Sequence, residues 1–190
     1  MEELREQKKM LRRRLRALAE RLAPEERRAA DRAIAETVLA SAAWKSARAV
    51  FVYVSMPDEP DTGALLDAAL REGKAVYVPR CYPGRVMKAV RITTTEELAP
   101  GALGIPEPVD DRVCAASGEI ELALVPCVSA ARNGRRLGHG AGYYDRFLAG
   151  NPCRTMCLCY EALLCDEIPV DALDVSMDAV VSEKAIYSNA

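Results

Sequence analysis

The residues with the most chemistry in them lie between positions 133 and 146, NGRRLGHGAGYYDR. Gly138, Gly140 and Gly142 alternate there with Leu137, His139 and Ala141. Such a run lets the backbone come close to a ligand. Its successive N–H groups can form a concave anion site, and a helix that follows adds the positive end of its dipole. Arg136 is a charged donor at the entrance. Asp145 falls in the first turn of the predicted helix, where a carboxylate is stabilised and can hold Mg²⁺ beside phosphates. Tyr143 and Tyr144 offer flat faces for a ring. The run is no Walker A loop, because no Lys-Ser/Thr pair follows, and its spacing is not the dinucleotide fingerprint. On the glycines alone, a surface loop and a ligand loop are equally good readings.

Two other groups could serve the same chemistry. Lys8 and Arg12 are four residues apart, so on a helix they sit one above the other. They border the stripe Leu4, Leu11, Leu15, Leu18 and Leu22, which predicts a helix over residues 4–22 and places both cations to reach past the core edge toward a cleft. Taken alone they read as solvated face. Glu59, in a PDEPD stretch, reads alone as turn chemistry.

These residues need a frame. A second helix is predicted from Pro24, with Glu25 and Glu26 in its first turn, to about Ala42, with Trp44 packing at its end. Residues 49–54 (AVFVYV) form a continuous apolar run that fits a buried parallel strand. A polar loop covers 55–62, and Asp61 or Thr62 caps a helix ending near Gly73. Further strands are predicted at 75–78, 87–92, 121–125, 154–160 and 178–181, with a loop at 101–108, a glycine-rich connection at 126–142 and a short helix at 143–149. Strands alternate with helices, so the class is α/β with a mainly parallel sheet. Ligands bind such sheets beyond the carboxyl ends of the strands, where the loop carrying Glu59 and the glycine-rich connection both emerge. A chain of 190 residues is one ordinary domain, here taken as 1–190.

Half of the residues are apolar and 28% are charged, which is globular and not disordered. The net charge is −2, although residues 1–32 carry eleven Lys/Arg against seven Asp/Glu. A basic helix on an acidic body suits a nucleic-acid arm or an anion site. The absence of an aromatic platform beside it favours the anion site. No apolar run approaches the roughly 20 residues that span a bilayer, and charges interrupt the N-terminus where a signal peptide would be apolar. No membrane partner is expected, and the expected compartment is the cytoplasm. Seven cysteines at irregular spacing then read as reduced thiols. Cys153, Cys157 and Cys159 would share one strand face near Cys165. They lack the knuckle spacing of zinc sites, so buried free thiols are expected.

Arg136-Leu137-Gly138-His139-Gly140-Ala141-Gly142-Tyr143-Tyr144-Asp145 resembles the R-L-G-x-G-x-G-Y-Y-D signature of the 5-formyltetrahydrofolate cyclo-ligase family. The resemblance runs along nearly the whole chain. Lys8-Lys9-Met10-Leu11-Arg12 is similar to the family's K-x-x-L-R. The segment Val54 to Glu59 is similar to its S-x-x-x-E segment. Pro79-Arg80 with Met87, Gly104-Ile105-Pro106-Glu107-Pro108, and Asp178 to Lys184 match its later motifs. The resemblance implies a single three-layer α/β domain like that of the ribose-5-phosphate isomerase and CoA-transferase group. It implies that ATP phosphorylates the formyl oxygen of 5-formyltetrahydrofolate, the N10 amine attacks the activated carbon, and 5,10-methenyltetrahydrofolate, ADP and phosphate result, with Mg²⁺.

By residue, the resemblance implies ATP binding by Lys8, Lys9, Met10, Leu11 and Arg12 and by the loop Arg136, Leu137, Gly138, His139, Gly140, Ala141, Gly142, Tyr143 and Tyr144. Val54, Met56, Glu59, Tyr143 and Tyr144 would bind the folate, and Asp145 and Asp178 the Mg²⁺. Lys8, Arg12 and Arg136 would act in catalysis. His139 stands at a variable position of the pattern, which favours a loop residue over a catalytic base. Ala141 replaces a Gly or Lys common in the family and, by disfavouring positive φ, predicts an altered loop. Ala130-Ala131 replace the usual Phe-Asp, and Ser182 replaces a threonine. Phosphoryl transfer needs positioning and charge stabilisation more than a covalent catalyst, in keeping with these residues. A monomer acting on small molecules, without nucleic acid, is expected. The rival readings are a catalytically inactive nucleotide-binding regulator and an RNA-binding accessory protein.

Overall fold

Four successive residues buried on both sides, Ala49–Val52, can only form a central strand (β1), because a strand with a wet face alternates. The computed structural model describes residues 2–101 and 104–189 and confirms that placement. Before β1 come three helices, α1 (Glu2–Ala19), α2 (Pro24–Ala40) and α3 (Ala42–Ser46). After it come α4 (Gly63–Arg71), β2 (Ala75–Tyr82), β3 (Val86–Ile92), β4 (Leu98–Pro100), β5 (Pro106–Pro108) and β6 (Leu122–Val125). The chain ends with β7 (Ser129–Ala130), β8 (Arg136–Leu137), α5 (Tyr143–Gly150), β9 (Arg154–Leu158), β10 (Ala179–Val181) and β11 (Ile186–Ser188).

Seven strands form one sheet in the order β11-β10-β9-β6-β1-β2-β3. β2, β1, β6, β9 and β10 are mutually parallel, and β3 and β11 are antiparallel edges. From β1 the chain crosses through α4 to β2 on one side. From β6 it crosses through α5 to β9 on the other. Right-handed crossovers in opposite directions put α4 and α5 on opposite faces of the sheet, giving three layers. The switch of direction falls between β1 and β6, where such sheets open a crevice at their carboxyl ends.

α5 is held to its face by aromatic packing. The Phe147 ring stacks on Phe51 of β1 with centroids 4.8 Å apart, and Tyr144 tilts against the same ring at 6.3 Å. Burying one such phenylalanine contributes about 1.5–3 kcal/mol. α1 joins the main core only at its last residue, Ala19. Its Leu11 and Leu15 pack with Val128, Ala131, Leu137 and Ile168 into a second small cluster around the β7–β8 hairpin. The hairpin therefore fixes the helix across the carboxyl ends of the strands. Leu18 lies 37% exposed, so the predicted stripe is wet on that side.

The structure departs from the sequence reading at the margins. The loop expected over 101–108 contains β5, which pairs antiparallel with β4, and residues 102 and 103 lie outside the described residues. The connection 126–142 contains the β7–β8 hairpin, and the edge strand β11 was not expected. At the start of α4 the Asp61 carboxylate accepts the Gly63 N–H, while the Thr62 hydroxyl donates to the Tyr53 carbonyl. Trp44 is buried as expected, in α3. All seven cysteines are unpaired. Among the described residues no helix is long and apolar enough to cross a membrane.

Candidate active site

A cleft of about 870 Å³ opens at the switch point. Three elements build it. The segment after β1 brings Val54, Met56 and Glu59, the glycine-rich loop after β6 brings Arg136 to Asp145, and α1 brings Arg5, Lys8 and Arg12. The β2–β3 edge closes one side with Pro79, Cys81 and Met87, and β4–β5 adds Ile105 and Glu107.

Arg136 anchors the loop. Its side chain is 4% exposed; Nη2 donates to Asp145 Oδ1 at 2.7 Å and Nη1 to the Pro126 carbonyl at 3.2 Å. Burial alone would lower its basicity. The charge and hydrogen bond of Asp145, together with Cys157 and Cys127, outweigh that, and the guanidinium titrates above its ordinary range. Its buried Nε has no partner among the described residues. Gly138 lies so close to this guanidinium that a Cβ would meet Nη1 at 3.0 Å. Gly140 adopts φ +104° beside the Arg12 guanidinium, a conformation that L side chains rarely take. Gly142 is the N-cap of α5. Ala141 does not adopt positive φ; among the non-glycine described residues only Arg85 does. Ala141 therefore carries no positive-φ strain.

α1 lays its cations along the loop. Arg12 Nε donates to the Gly138 carbonyl at 2.7 Å, and Arg16 Nη2 approaches His139 Nδ1 at 3.3 Å. Burial, then the charge of Arg16, lowers the Arg12 basicity, and Asp174 opposes them. Lys8 is buried and pairs with Asp171 at 3.0 Å and with Asp174 at still shorter range. Desolvation works against its charge, but the hydrogen bonds to Asp174 and Asp171 win and raise it. Glu59, with a side chain 3% exposed, accepts the Met56 N–H on Oε2 at 2.9 Å, and His139 Nε2 meets its Oε1 at 2.9 Å. Tyr143 and Tyr144 both line the cleft. The Arg136 guanidinium lies 5.7 Å from the Tyr144 ring centroid. Burial, and next the Glu59 charge, push that phenol well above its ordinary range, so it is a neutral hydroxyl.

The structure thus brings together Lys8, Arg12, Val54, Met56, Glu59, all of Arg136 to Tyr144, and Asp145. It leaves out Lys9, Met10 and Leu11. Neighbours on a helix point about 100° apart, so Lys9 pairs with Glu6 in solvent, Met10 is 57% exposed, and Leu11 packs on the hairpin. The metal assignment of Asp178 is corrected. Asp178 precedes β10 at its amino end, whereas the cleft lies at the carboxyl ends. Its carboxylate accepts the Thr155 N–H at 2.7 Å and the Thr155 hydroxyl at 2.9 Å. Asp171 and Asp174 line the cleft instead, and the Val175 N–H donates to Asp145 Oδ1 at 3.3 Å, which brings the segment after Asp174 against Asp145. The only sequence trace of this pair was its position between the last two predicted strands.

A doubly wound sheet with a cation-lined glycine loop at its switch point is the architecture of an enzyme that handles anionic small molecules. Residues 4–183 match the 5-formyltetrahydrofolate cyclo-ligase family, and the chain belongs to that family. The mouse 5-formyltetrahydrofolate cyclo-ligase is 30% identical over 188 residues, covering 91% of this chain and 90% of the mouse protein. A probable 5-formyltetrahydrofolate cyclo-ligase of Schizosaccharomyces pombe is 32% identical over 163 residues, covering 77% and 80%. The solved 5,10-methenyltetrahydrofolate synthetase of Aquifex aeolicus superposes with a TM-score of 0.86 at 28% identity, covering 96% of this chain and 92% of that one.

Proposed function

We propose that this protein catalyses the ATP-dependent cyclisation of 5-formyltetrahydrofolate to 5,10-methenyltetrahydrofolate, with ADP and phosphate as the other products. The observation that carries the reading is the meeting, in one cleft, of a buried carboxylate with a cation-lined glycine loop. Glu59 suits the adjacent N–H groups of a pterin ring. The loop, with Lys8, Arg12 and Arg136, suits a polyphosphate. The apolar wall of Val54, Met56, Pro79 and Met87 suits the body of the folate.

The formyl oxygen attacks the terminal phosphorus of ATP as the bond to ADP breaks; the folate's N10 then adds to the former formyl carbon and gives up its proton, and phosphate leaves that carbon. Lys8 and Arg12 hold the polyphosphate in line, and Arg136 stabilises charge through the loop it braces. On nucleotide binding, Lys8 exchanges Asp171 and Asp174 for phosphate oxygens. Asp145 and Asp174 fit the all-oxygen donor set of Mg²⁺. Among the described residues both hydrogen bonds to the Asp145 carboxylate fall on Oδ1, leaving Oδ2 for a metal. When bound there, the ion would neutralise phosphate charge. A cytoplasmic monomer is part of the same proposal.

The reading is tested by splitting the two ligands. Lys8→Ala and Arg12→Ala are each expected to raise the ATP KM by about tenfold or more, the scale of one charge-assisted contact, and to change the folate KM much less. Equal effects on both constants, or none on ATP, would remove α1 from the nucleotide. A second comparison addresses the metal. Asp174→Asn should raise the Mg²⁺ concentration for half-maximal rate several-fold, whereas Asp178→Asn should leave it unchanged and cost about 1–2 kcal/mol of stability through the lost Thr155 contacts. The reverse pattern would restore Asp178 as the ligand.

A further inference from the structure

His139, which its sequence position marks only as a loop residue, makes the one side-chain hydrogen bond among the described residues that ties the glycine loop to the candidate folate carboxylate. Its Nε2 lies 2.9 Å from Glu59 Oε1, and its Nδ1 lies 3.3 Å from Arg16 Nη2. An arginine can only donate. Nδ1 must therefore offer its lone pair, and Nε2 must carry the proton and donate it to Glu59. A neutral ring in this tautomer satisfies both neighbours at once. Glu59 itself is held firmly, by the Met56 N–H on Oε2 and by its own N–H, which donates to the Met56 carbonyl at 3.0 Å. The histidine side is freer to move. The ring is 28% exposed and its residue stands between two glycines.

We infer that His139 is a latch on the substrate carboxylate. It occupies the Oε1 position that the pterin N–H takes, so folate binding must displace it and release the glycine loop. This rests on the assignment of Glu59 to the folate. The latch competes with the substrate for one acceptor, and it ties the two halves of the cleft together. Folate binding frees the loop that meets the nucleotide, and by linkage the nucleotide-bound loop favours folate to the same degree. His139 here is a positioning residue, acting through Glu59 and the loop.

The test is a calorimetric titration of the whole protein with 5-formyltetrahydrofolate in the absence of nucleotide. His139→Ala should bind about tenfold more tightly than the wild type, the order expected for removing one competing bond to a charged group that is partly open to water. His139→Gln, whose amide can still donate to Glu59, should return toward the wild-type affinity. The chain has a single histidine, so ¹⁵N spectra of the wild-type imidazole are unambiguous. They should show the Nε2–H tautomer in the free protein and a clear shift on adding folate. Equal or weaker folate binding by His139→Ala, or imidazole resonances that folate leaves unmoved, would overturn the latch. A wild type that binds no 5-formyltetrahydrofolate would instead contradict the site assignment and take the latch with it.

Discussion

Replacing Arg136 by alanine is expected to lower turnover about a thousandfold and stability by about 2–4 kcal/mol. Removing one partner of a buried ion pair typically costs about 3–5 kcal/mol, because the other charge is left without compensation. Asp145 keeps 22% of its side chain in solvent, which moderates that figure. For a chain of this size the loss corresponds to a fall in Tm of roughly 5–15 °C. The activity loss should go further, on the order of a thousandfold, because the loop loses both its brace and a charge close to the phosphates. Arg136→Lys should rescue little. An ammonium keeps the charge but cannot reach the Asp145 carboxylate and the Pro126 carbonyl through one planar fork. The double variant Arg136→Met with Asp145→Leu removes both charges. It should recover most of the thermal stability and none of the activity. Recovery of activity in the double variant would show that the pair only holds the fold.

Glu59→Gln is expected to weaken 5-formyltetrahydrofolate binding by about 1.5–3 kcal/mol, ten- to a hundredfold or slightly more, while ATP binding measured alone barely changes. The carboxylate offers acceptors on both oxygens. One is already committed to the Met56 N–H, and the other faces the cleft with His139 on it. An amide of the same shape has one acceptor oxygen. Whichever way it turns, its NH₂ meets either a backbone donor or the site of the ligand's donor. Separate calorimetric titrations with each ligand decide the matter. A fall in ATP affinity with folate affinity intact would move Glu59 to the nucleotide half of the cleft.

The parts of this account that were legible in the sequence are those that repeat or stand close together. The buried run at 49–54 and the alternation of strands with helices specify the parallel sheet, and strand ends specify where a ligand sits. Arg136 to Asp145 are close in sequence, so their common location could be read directly. The edge strand β11, the β4–β5 pair and the β7–β8 hairpin have two or three residues per strand, too few to show a period. Contacts across long separations left no trace. His139 and Glu59 are 80 residues apart, and Lys8 and Asp174 are 166 apart. Asp178 opens a recognisable strand motif, yet the start of a parallel strand lies at the opposite end of the sheet from the cleft. Asp174, four residues earlier, is still crossing the cleft. Lys9, Met10 and Leu11 belong to a continuous sequence motif that helical geometry splits between faces.

The central claim is tested most directly by following the appearance of the methenyl product spectrophotometrically from 5-formyltetrahydrofolate, with ATP and Mg²⁺ each present or withheld. Product should form at a steady rate only when the 5-formyl isomer, ATP and Mg²⁺ are all present, with one ADP released per methenyl group formed. Equal product formation without nucleotide, or ATP hydrolysis without methenyl formation, would contradict the account.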